Sequence, residues 1–466
     1  MGIRAGKTMN ILIVGNGKVG YTLAEYLTVH HNHDVTIVDK DRDALRKASE
    51  TLDVLCVRGN GGNVRSLIEA GAEKADVIIA VTANDELNMV CCLAAKQLGT
   101  KYSIARIRDP EYTESLQLLQ ERLDIDQVIN PERAAAQEIS RLLRFPFAMN
   151  IEAFAHGRVE MVEFTVTKAD GEITGIPLSR LHSRYPHVQF VAVQRKNEAI
   201  VPDGSFSIQE GDRVYVSGEH VAVTRFFKLL EKNTERVRSA MLIGGGHISY
   251  YLARQLVSLG TRIKLLEIKP DKCRRLCERL ESVDVICGDG TDRETLMDEN
   301  MEAFDALICL TDRDEENMIT GLYGVRMGVR KVIVKVNRLN TPEVLDDLGL
   351  ESVVSPKIST ANAILRSVLA LSNSRSSRIQ KVYGMLGGKV EAMEFTALAG
   401  SDFLNVPLAR LKIKKGVLVS VLVRGRRTII PFGGDHIEAG DTVILSARAG
   451  SVQDLDDAFT GVREST

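Results

Sequence analysis

The sequence contains no long hydrophobic run. Its uninterrupted apolar stretches are short, such as Val77 to Val81 and Ala306 to Leu310, whereas a helix needs roughly 18–20 apolar residues to cross a bilayer. They read as buried strands. The first ten residues, MGIRAGKTMN, lack the apolar segment of a secretory signal. Met9 stands immediately before the first strand, so residues 1 to 8 read as an extension or an upstream start. There is also no excess of charge of either sign. The 60 Lys and Arg balance 62 Asp and Glu to a net charge of −2, which gives no electrostatic footprint for gripping a polyanion or coating an anionic membrane. Nucleic acid is not an expected partner.

A second cysteine or histidine pair to complete a metal site is missing as well. Cys56, Cys91, Cys92, Cys273, Cys277, Cys287 and Cys309 all fall inside apolar strand or helix patterns and read as reduced core thiols. Cys273 and Cys277 are four apart on one helix face and could give a metal two ligands, but no second Cys or His pair stands near them. No metal site is expected. His30, His31 and His33 sit where a helix hands over to a strand and read as solvated.

What the chain does contain is a long internal repeat. Its 466 residues exceed a single ordinary core and suggest three or four domains. Gly15-Asn16-Gly17-Lys18-Val19-Gly20 recurs 229 residues later as Gly244-Gly245-Gly246-His247-Ile248-Ser249. Gly59-Asn60-Gly61 and Gly288-Asp289-Gly290 keep that offset, as do Thr82, Asp85, Glu86, Asn88 and Met89 with Thr311, Asp314, Glu315, Asn317 and Met318. Further on, Val159 to Phe164 matches Val390 to Phe395, and Gly211-Asp212 matches Gly440-Asp441. Each unit therefore holds two modules.

The first module of each unit alternates short β-branched runs with helical periodicity. Ile11 to Val14 precedes a helix face of Val19, Leu23 and Leu27, and Val35 to Val38 follows it. This rhythm predicts βαβ units and a parallel sheet, an α/β fold. The second module is strand-rich: Val159 to Thr167, Val188 to Gln194 and Arg213 to Ser217 are separated by turn signals. It predicts a small α+β domain closed by a helix from about Glu219 to Lys232. The four modules are expected over 9–145, 151–232, 238–370 and 382–460.

Gly15, Gly17 and Gly20 follow a strand and open a helix, where backbone N–H groups and the positive helix end can hold a pyrophosphate. Asp39 ends the next strand, placed to accept hydrogen bonds from a ribose diol and to repel a 2′-phosphate. That favours NAD(H) or an adenosine nucleotide over NADP, although Lys40 and Arg42 lie nearby. Glu267 repeats the carboxylate after Gly244. Ser249 replaces the third glycine of the second copy, where helix-to-strand packing is expected to loosen. Lys18 and His247 beside the loops, and Arg106 and Lys335 at the ends of the fifth strands, are either phosphate contacts or exposed charges.

Taken together, the glycine loop, Asp39, Thr82-Ala83, Ala105-Arg106-Ile107-Arg108 and the paired Gly-Asp turns resemble the regulator-of-potassium-conductance (RCK, or KTN) domains with their small C-terminal companions. The doubled arrangement is similar to the cytosolic regulatory subunits of bacterial potassium-uptake systems, and the likeness runs from Met9 to about Asp457. It implies two tandem Rossmann-like RCK-N domains with parallel sheets, each followed by a small α+β RCK-C domain. It further implies nucleotide contacts at Gly15, Asn16, Gly17, Lys18, Val19, Asp39, Thr82, Ala83 and Arg106. In the second copy they would be Gly244, Gly245, Gly246, His247, Ile248, Glu267, Thr311, Asp312 and Lys335. The implied ligand is NAD(H), with ATP or ADP in some members. The implied assembly is a homotetrameric ring at the cytoplasmic face of the membrane, docked on a potassium-translocating subunit of the TrkH/TrkG type.

The competing reading is an NAD-dependent oxidoreductase, because the same fold and fingerprint serve hydride transfer. It would need a general acid or base at the nicotinamide end, and His156, His182, His187 and His220 lack counterparts in the repeat. A DNA-binding redox repressor would need a basic helix-turn-helix module. The Arg-rich stretch from Ser367 to Lys381 reads instead as a connector.

Overall fold

The computed structural model describes residues 8–29, 33–114, 116–232, 234–337, 348–350, 352–371 and 377–462. The region before Met9 lies almost wholly outside them, as do His30 and His31.

The first module forms a six-stranded sheet from β1 (Asn10–Val14), β2 (Asp34–Asp39), β3 (Leu55–Arg58), β4 (Val77–Ala80), β5 (Tyr102–Arg106) and β6 (Gln127–Ile129), all parallel, in the order β3-β2-β1-β4-β5-β6. The helices begin and end where local chemistry dictates. Asn84 caps the helix Asp85–Leu98 by accepting from the Leu87 amide, Asp85 and Glu86 face the positive end, and Gly99 stops it at φ +114°. The strands are apolar on both faces, as a sheet covered on both sides requires.

A small antiparallel sheet follows, built from β7 (Asn150–Phe154), β8 (Val159–Thr165), β9 (Val188–Arg195), β10 (Glu198–Ile200) and β11 (Arg213–Glu219). The closing helix spans His220–Leu229, shorter than the expected Glu219 to Lys232. Its Val223, Phe226 and Phe227 enter the core.

The second unit repeats the plan. Its parallel sheet comprises β12 (Ser239–Ile243), β13 (Arg262–Glu267), β14 (Asp284–Cys287), β15 (Ala306–Cys309), β16 (Lys331–Lys335) and β17 (Val353–Val354), in the order β14-β13-β12-β15-β16-β17. A second antiparallel sheet contains β18 (Ser377–Met385), β19 (Val390–Ala397), β21 (Val417–Arg424), β22 (Arg427–Ile429) and β23 (Thr442–Arg448), while β20 (Leu411–Ile413) pairs with β24 (Phe459–Val462). Where the first small domain has its closing helix, the second has a 3-10 turn, Leu455–Ala458. Asp454 caps this turn by accepting from the Leu455 amide, and Leu455 and Ala458 turn into the core before β24 begins at Phe459. The stretch Ser367 to Lys381, expected to connect, instead ends a helix at Leu371 and begins β18 at Ser377; residues 372–376 lie outside the described set.

The last helix of each parallel module closes the other module. Pro131–Leu142 leaves the first sheet and packs on the helix His247–Ser258, joining Ala135, Ala136 and Ile139 to Ile248, Leu252 and Leu256. Pro356–Leu371 leaves the second sheet and packs on Lys18–Val29, joining Ala361, Ile364, Leu365 and Val368 to Leu23 and Leu27. Each buried Ile or Leu contributes roughly 1.5–3 kcal/mol, so the exchange binds the two units firmly. The small domains also meet, through a core that includes Phe154, Met161 and Tyr215 of the first and Tyr383, Met385 and Ile444 of the second.

Candidate nucleotide site

In an open parallel sheet, ligands bind beyond the carboxyl ends of the strands where the strand order reverses, here between β1 and β4. A cavity of about 590 Å³ lies there, lined by Gly15, Gly17, Lys18, Val19, Asp39, Thr82, Ala83 and Arg106 among others. Of the nine first-copy candidates only Asn16 stands apart. Its side chain is buried and donates to the Ala44 carbonyl at 2.8 Å.

The three glycines of the loop have different tasks. Gly15 has φ +103°, and a Cβ on it would lie 2.9 Å from the Thr82 amide nitrogen, so it permits both the turn and the approach of the β4 end. A Cβ on Gly20 would collide with the Gly15 carbonyl at 1.9 Å. At Gly17 a Cβ would meet no atom within 4 Å. Nothing in the fold demands glycine at Gly17, which borders the cavity, so its missing side chain is open room for a ligand.

Asp39 braces the loop as well as facing the cavity. Its carboxylate accepts from the Asn16 amide and, at 2.9 Å, from that of Asp41, and each oxygen retains acceptor capacity for a ribose hydroxyl. Across the cavity, Asn88 fastens the ends of β4 and β5. Its Oδ1 accepts from the Thr82 N–H at 2.8 Å and hydroxyl at 2.7 Å, and its Nδ2 donates to the Arg106 carbonyl at 2.8 Å. The Arg106 guanidinium donates to the Thr82 carbonyl, and Arg108 to that of Ala83 at 2.6 Å. Burial, with Arg108 beside it, pulls the Arg106 pKa below its usual value, against the pull of Glu132 and Asp85.

Lys40, Asn60, Arg108, Glu132, Asn337, Lys357 and Thr360 also line the cavity and were not among the sequence candidates. Burial raises the Glu132 carboxyl, while Arg108, His247 and Arg106 act to lower it. Asn337, Lys357 and Thr360 belong to the second unit. Arg108 could have been recognised as the partner cation two residues after Arg106, but the residues of the second unit have no local signal: Lys357 and Thr360 arrive on the exchanged helix and Asn337 from the end of β16.

The second copy keeps the framework. Gly244 has φ +98° and meets Thr311 as Gly15 meets Thr82. Glu267 accepts from the Gly245 amide at 2.8 Å and the Lys269 amide at 2.9 Å, and Asn317 joins Thr311 to the Lys335 carbonyl. Ile248 is buried, His247 is exposed, and a Cβ on Gly246 would meet nothing within 4 Å. Three details differ. The Lys335 ammonium is paired with Asp312 at 3.2 Å. Leu276 packs where a Cβ on Gly245 would stand, 2.5 Å away. Ser249 does not loosen the helix-to-strand packing: it is fully buried and its hydroxyl donates to the Gly244 carbonyl, which turns the extra atoms into a tie.

Two other expectations are corrected. Cys277 and Cys287 are exposed rather than core residues. His33 is buried, its Nδ1 accepts from the Met9 amide at 3.4 Å, and desolvation lowers its pKa. It is shielded because β1 and β2 converge there.

Residues 11–131 and 240–356 match the TrkA-N domain family, and residues 161–231 and 392–460 match the TrkA-C domain family. A relative from Methanosarcina mazei, named Trk system potassium uptake protein TrkA homolog 2, is 32 % identical over 459 residues, covering 97 % of this chain and 100 % of its own. The Trk system potassium uptake protein TrkA of Vibrio alginolyticus is 32 % identical over 445 residues, covering 94 % and 95 %. Among solved structures, the GsuK channel bound to NAD aligns with TM-score 0.60 at 18 % identity over 96 % of this chain and 78 % of that one. The GsuK RCK domain aligns with TM-score 0.59 at 18 % identity, over 96 % and 94 %. These two likenesses establish the shared fold.

Proposed function

The chain belongs to the TrkA family of Trk-system potassium uptake proteins, and from that premise we propose that it is a regulatory subunit that senses NAD(H) or an adenine nucleotide and gates a membrane potassium transporter. The observation that carries this reading is the cavity at the strand-order reversal. There Gly17 leaves open room beside a helix N-terminus, Asp39 stands at the ribose position, and Lys18, Arg106 and Arg108 supply positive charge. The nucleotide is an effector rather than a reactant, and the protein is not an enzyme. Full-length relatives bearing potassium-uptake names support this assignment.

No helix among the described residues is long and apolar enough to cross a membrane. The reading therefore places transport in a separate TrkH/TrkG-type subunit. The regulator docks on it at the cytoplasmic face as a homotetrameric ring. ADP and ATP are alternative ligands for the same cavity, and the GsuK channel bound to NAD, which shares this fold, supports a dinucleotide as the ligand.

Calorimetric titration of the purified chain with NADH, NAD+, ADP and ATP, followed by recovery of each nucleotide, tests the reading. Saturable binding with the ligand returned chemically intact is expected. Absence of binding, or steady conversion of NADH to NAD+ with a reducible substrate, contradicts it.

A further inference from the structure

The two exchanged helices open with the same construction and opposite charges. Asn130-Pro131-Glu132 begins one and Ser355-Pro356-Lys357 the other, with proline at the first helical position of each. The second helical residue thus holds a carboxylate in the first copy and an ammonium in the second. Because the helices trade partners, Lys357 is delivered to the first unit's cavity, while Glu132 stands at the border of the two units, lining that cavity beside Arg108 and Arg106. Glu132 comes within electrostatic range of His247 at the second glycine loop. Lys357 comes within range of Lys18 at the first and lines its cavity.

Lys357 makes no hydrogen bond or ion pair among the described residues. Burial lowers its pKa, as do Lys18 and Lys47, and only Glu25 acts the other way. Lys18, Lys40, Arg106, Arg108 and Lys357 therefore line one cavity with Asp39 and Glu132 as the acidic groups. An anion entering it relieves repulsion among cations held in a partly desolvated space. The second loop differs: its Lys335 ammonium is already paired with Asp312 at 3.2 Å, and Leu276 closes on Gly245.

We infer that the chain has one phosphate-competent nucleotide site rather than two, and that Lys357 of the second unit completes it by contacting the phosphates of a nucleotide carrying a diphosphate or longer chain. The inference rests on the nucleotide-sensing reading and deepens it. Binding at the first loop then bridges the two units directly, through a residue that moves with the exchanged helix.

Calorimetry with ADP and with NADH on the full chain tests this. One nucleotide per chain is expected. Lys357→Gln should weaken binding about 10- to 100-fold, as loss of a charge-assisted contact does, and reduce its salt sensitivity. Lys357→Arg should retain most of the affinity. Two equivalent sites per chain, or unchanged affinity in a Lys357→Gln protein with wild-type melting, overturns the inference. If Asp39→Ala loses affinity while Lys357→Gln does not, the sensing reading stands and this inference falls. If the wild-type chain binds neither nucleotide, both fall.

Discussion

Tyr26 donates its hydroxyl hydrogen bond to Glu391, a residue 365 positions away and almost wholly buried in the second small domain. Tyr26 lies on the helix that begins at Lys18, so the helix opened by the phosphate loop is tied directly to the second small domain. Burial, with Glu391 alongside, raises the Tyr26 pKa and keeps the phenol protonated as the donor. The other Glu391 oxygen accepts from the Gly450 amide at 3.1 Å.

Tyr26→Phe removes this donor and leaves a buried carboxylate short of a partner, a change worth roughly 1–3 kcal/mol. Thermal melting should fall accordingly, while NADH affinity measured by calorimetry stays within about twofold because the glycine loop is untouched. Unchanged melting would show that the contact adds no stability.

The glycines should separate by task. Gly17→Leu should melt like the parent protein, since its Cβ meets no atom within 4 Å, and should lose nucleotide binding because the side chain occupies the cavity. Gly15→Ala must adopt φ +103° against the Thr82 amide and should lose about 1–3 kcal/mol of stability. Equal melting of the two variants in denaturant titrations would refute the distinction.

Asp39→Ala should weaken NADH binding about 10- to 100-fold, because hydrogen bonds to a charged group are worth roughly 1.5–3 kcal/mol. The Asn16 and Asp41 amides also lose their acceptor, so a lower unfolding midpoint should accompany the lost affinity. An unchanged dissociation constant in a folded variant would remove Asp39 from the ribose contact.

Thiol reactivity should follow exposure. Cys277 and Cys287 are open to solvent. Burial pushes the Cys91 thiol up to about 12 and, with Cys287 adding to it, the Cys273 thiol up to about 11, which withholds the reactive thiolate. Mass spectrometry after brief iodoacetamide treatment at pH 8 should find Cys277 and Cys287 modified first, and Cys91, Cys92 and Cys309 only after denaturation. Early modification of Cys92 or Cys309 would contradict the packing described.

Features encoded within a few residues were legible in the sequence. Gly15, Gly17 and Asp39 carry their meaning in a strand, a turn and a helix, and eight of the nine first-copy candidates line one cavity. Asn16 could not be told from its neighbours, because its side-chain direction depends on the Ala44 carbonyl. Lys357, Thr360 and Asn337 were beyond reach for a different reason. Lys357 and Thr360 enter the first cavity on Pro356–Leu371, which crosses to the other unit, and Asn337 enters it from the end of β16; the apolar stripe of Ala361, Ile364, Leu365 and Val368 on that helix fits any core of the right size. Ser249 carried a misleading signal: it breaks the glycine pattern, yet its hydroxyl finds the carbonyl that close packing presents.

Potassium flux through the reconstituted membrane subunit, measured with the wild-type chain and with Gly17→Leu across NADH, NAD+, ADP and ATP, tests the central claim most directly. A ligand shifts a gate only by its differential affinity for the two states, commonly about 1–3 kcal/mol per site. The account predicts a several-fold change in flux with at least one nucleotide, the nucleotide recovered intact, and no response from a Gly17→Leu chain that still docks. A full nucleotide response from that docked variant, or flux indifferent to all four nucleotides in the wild type, would contradict it.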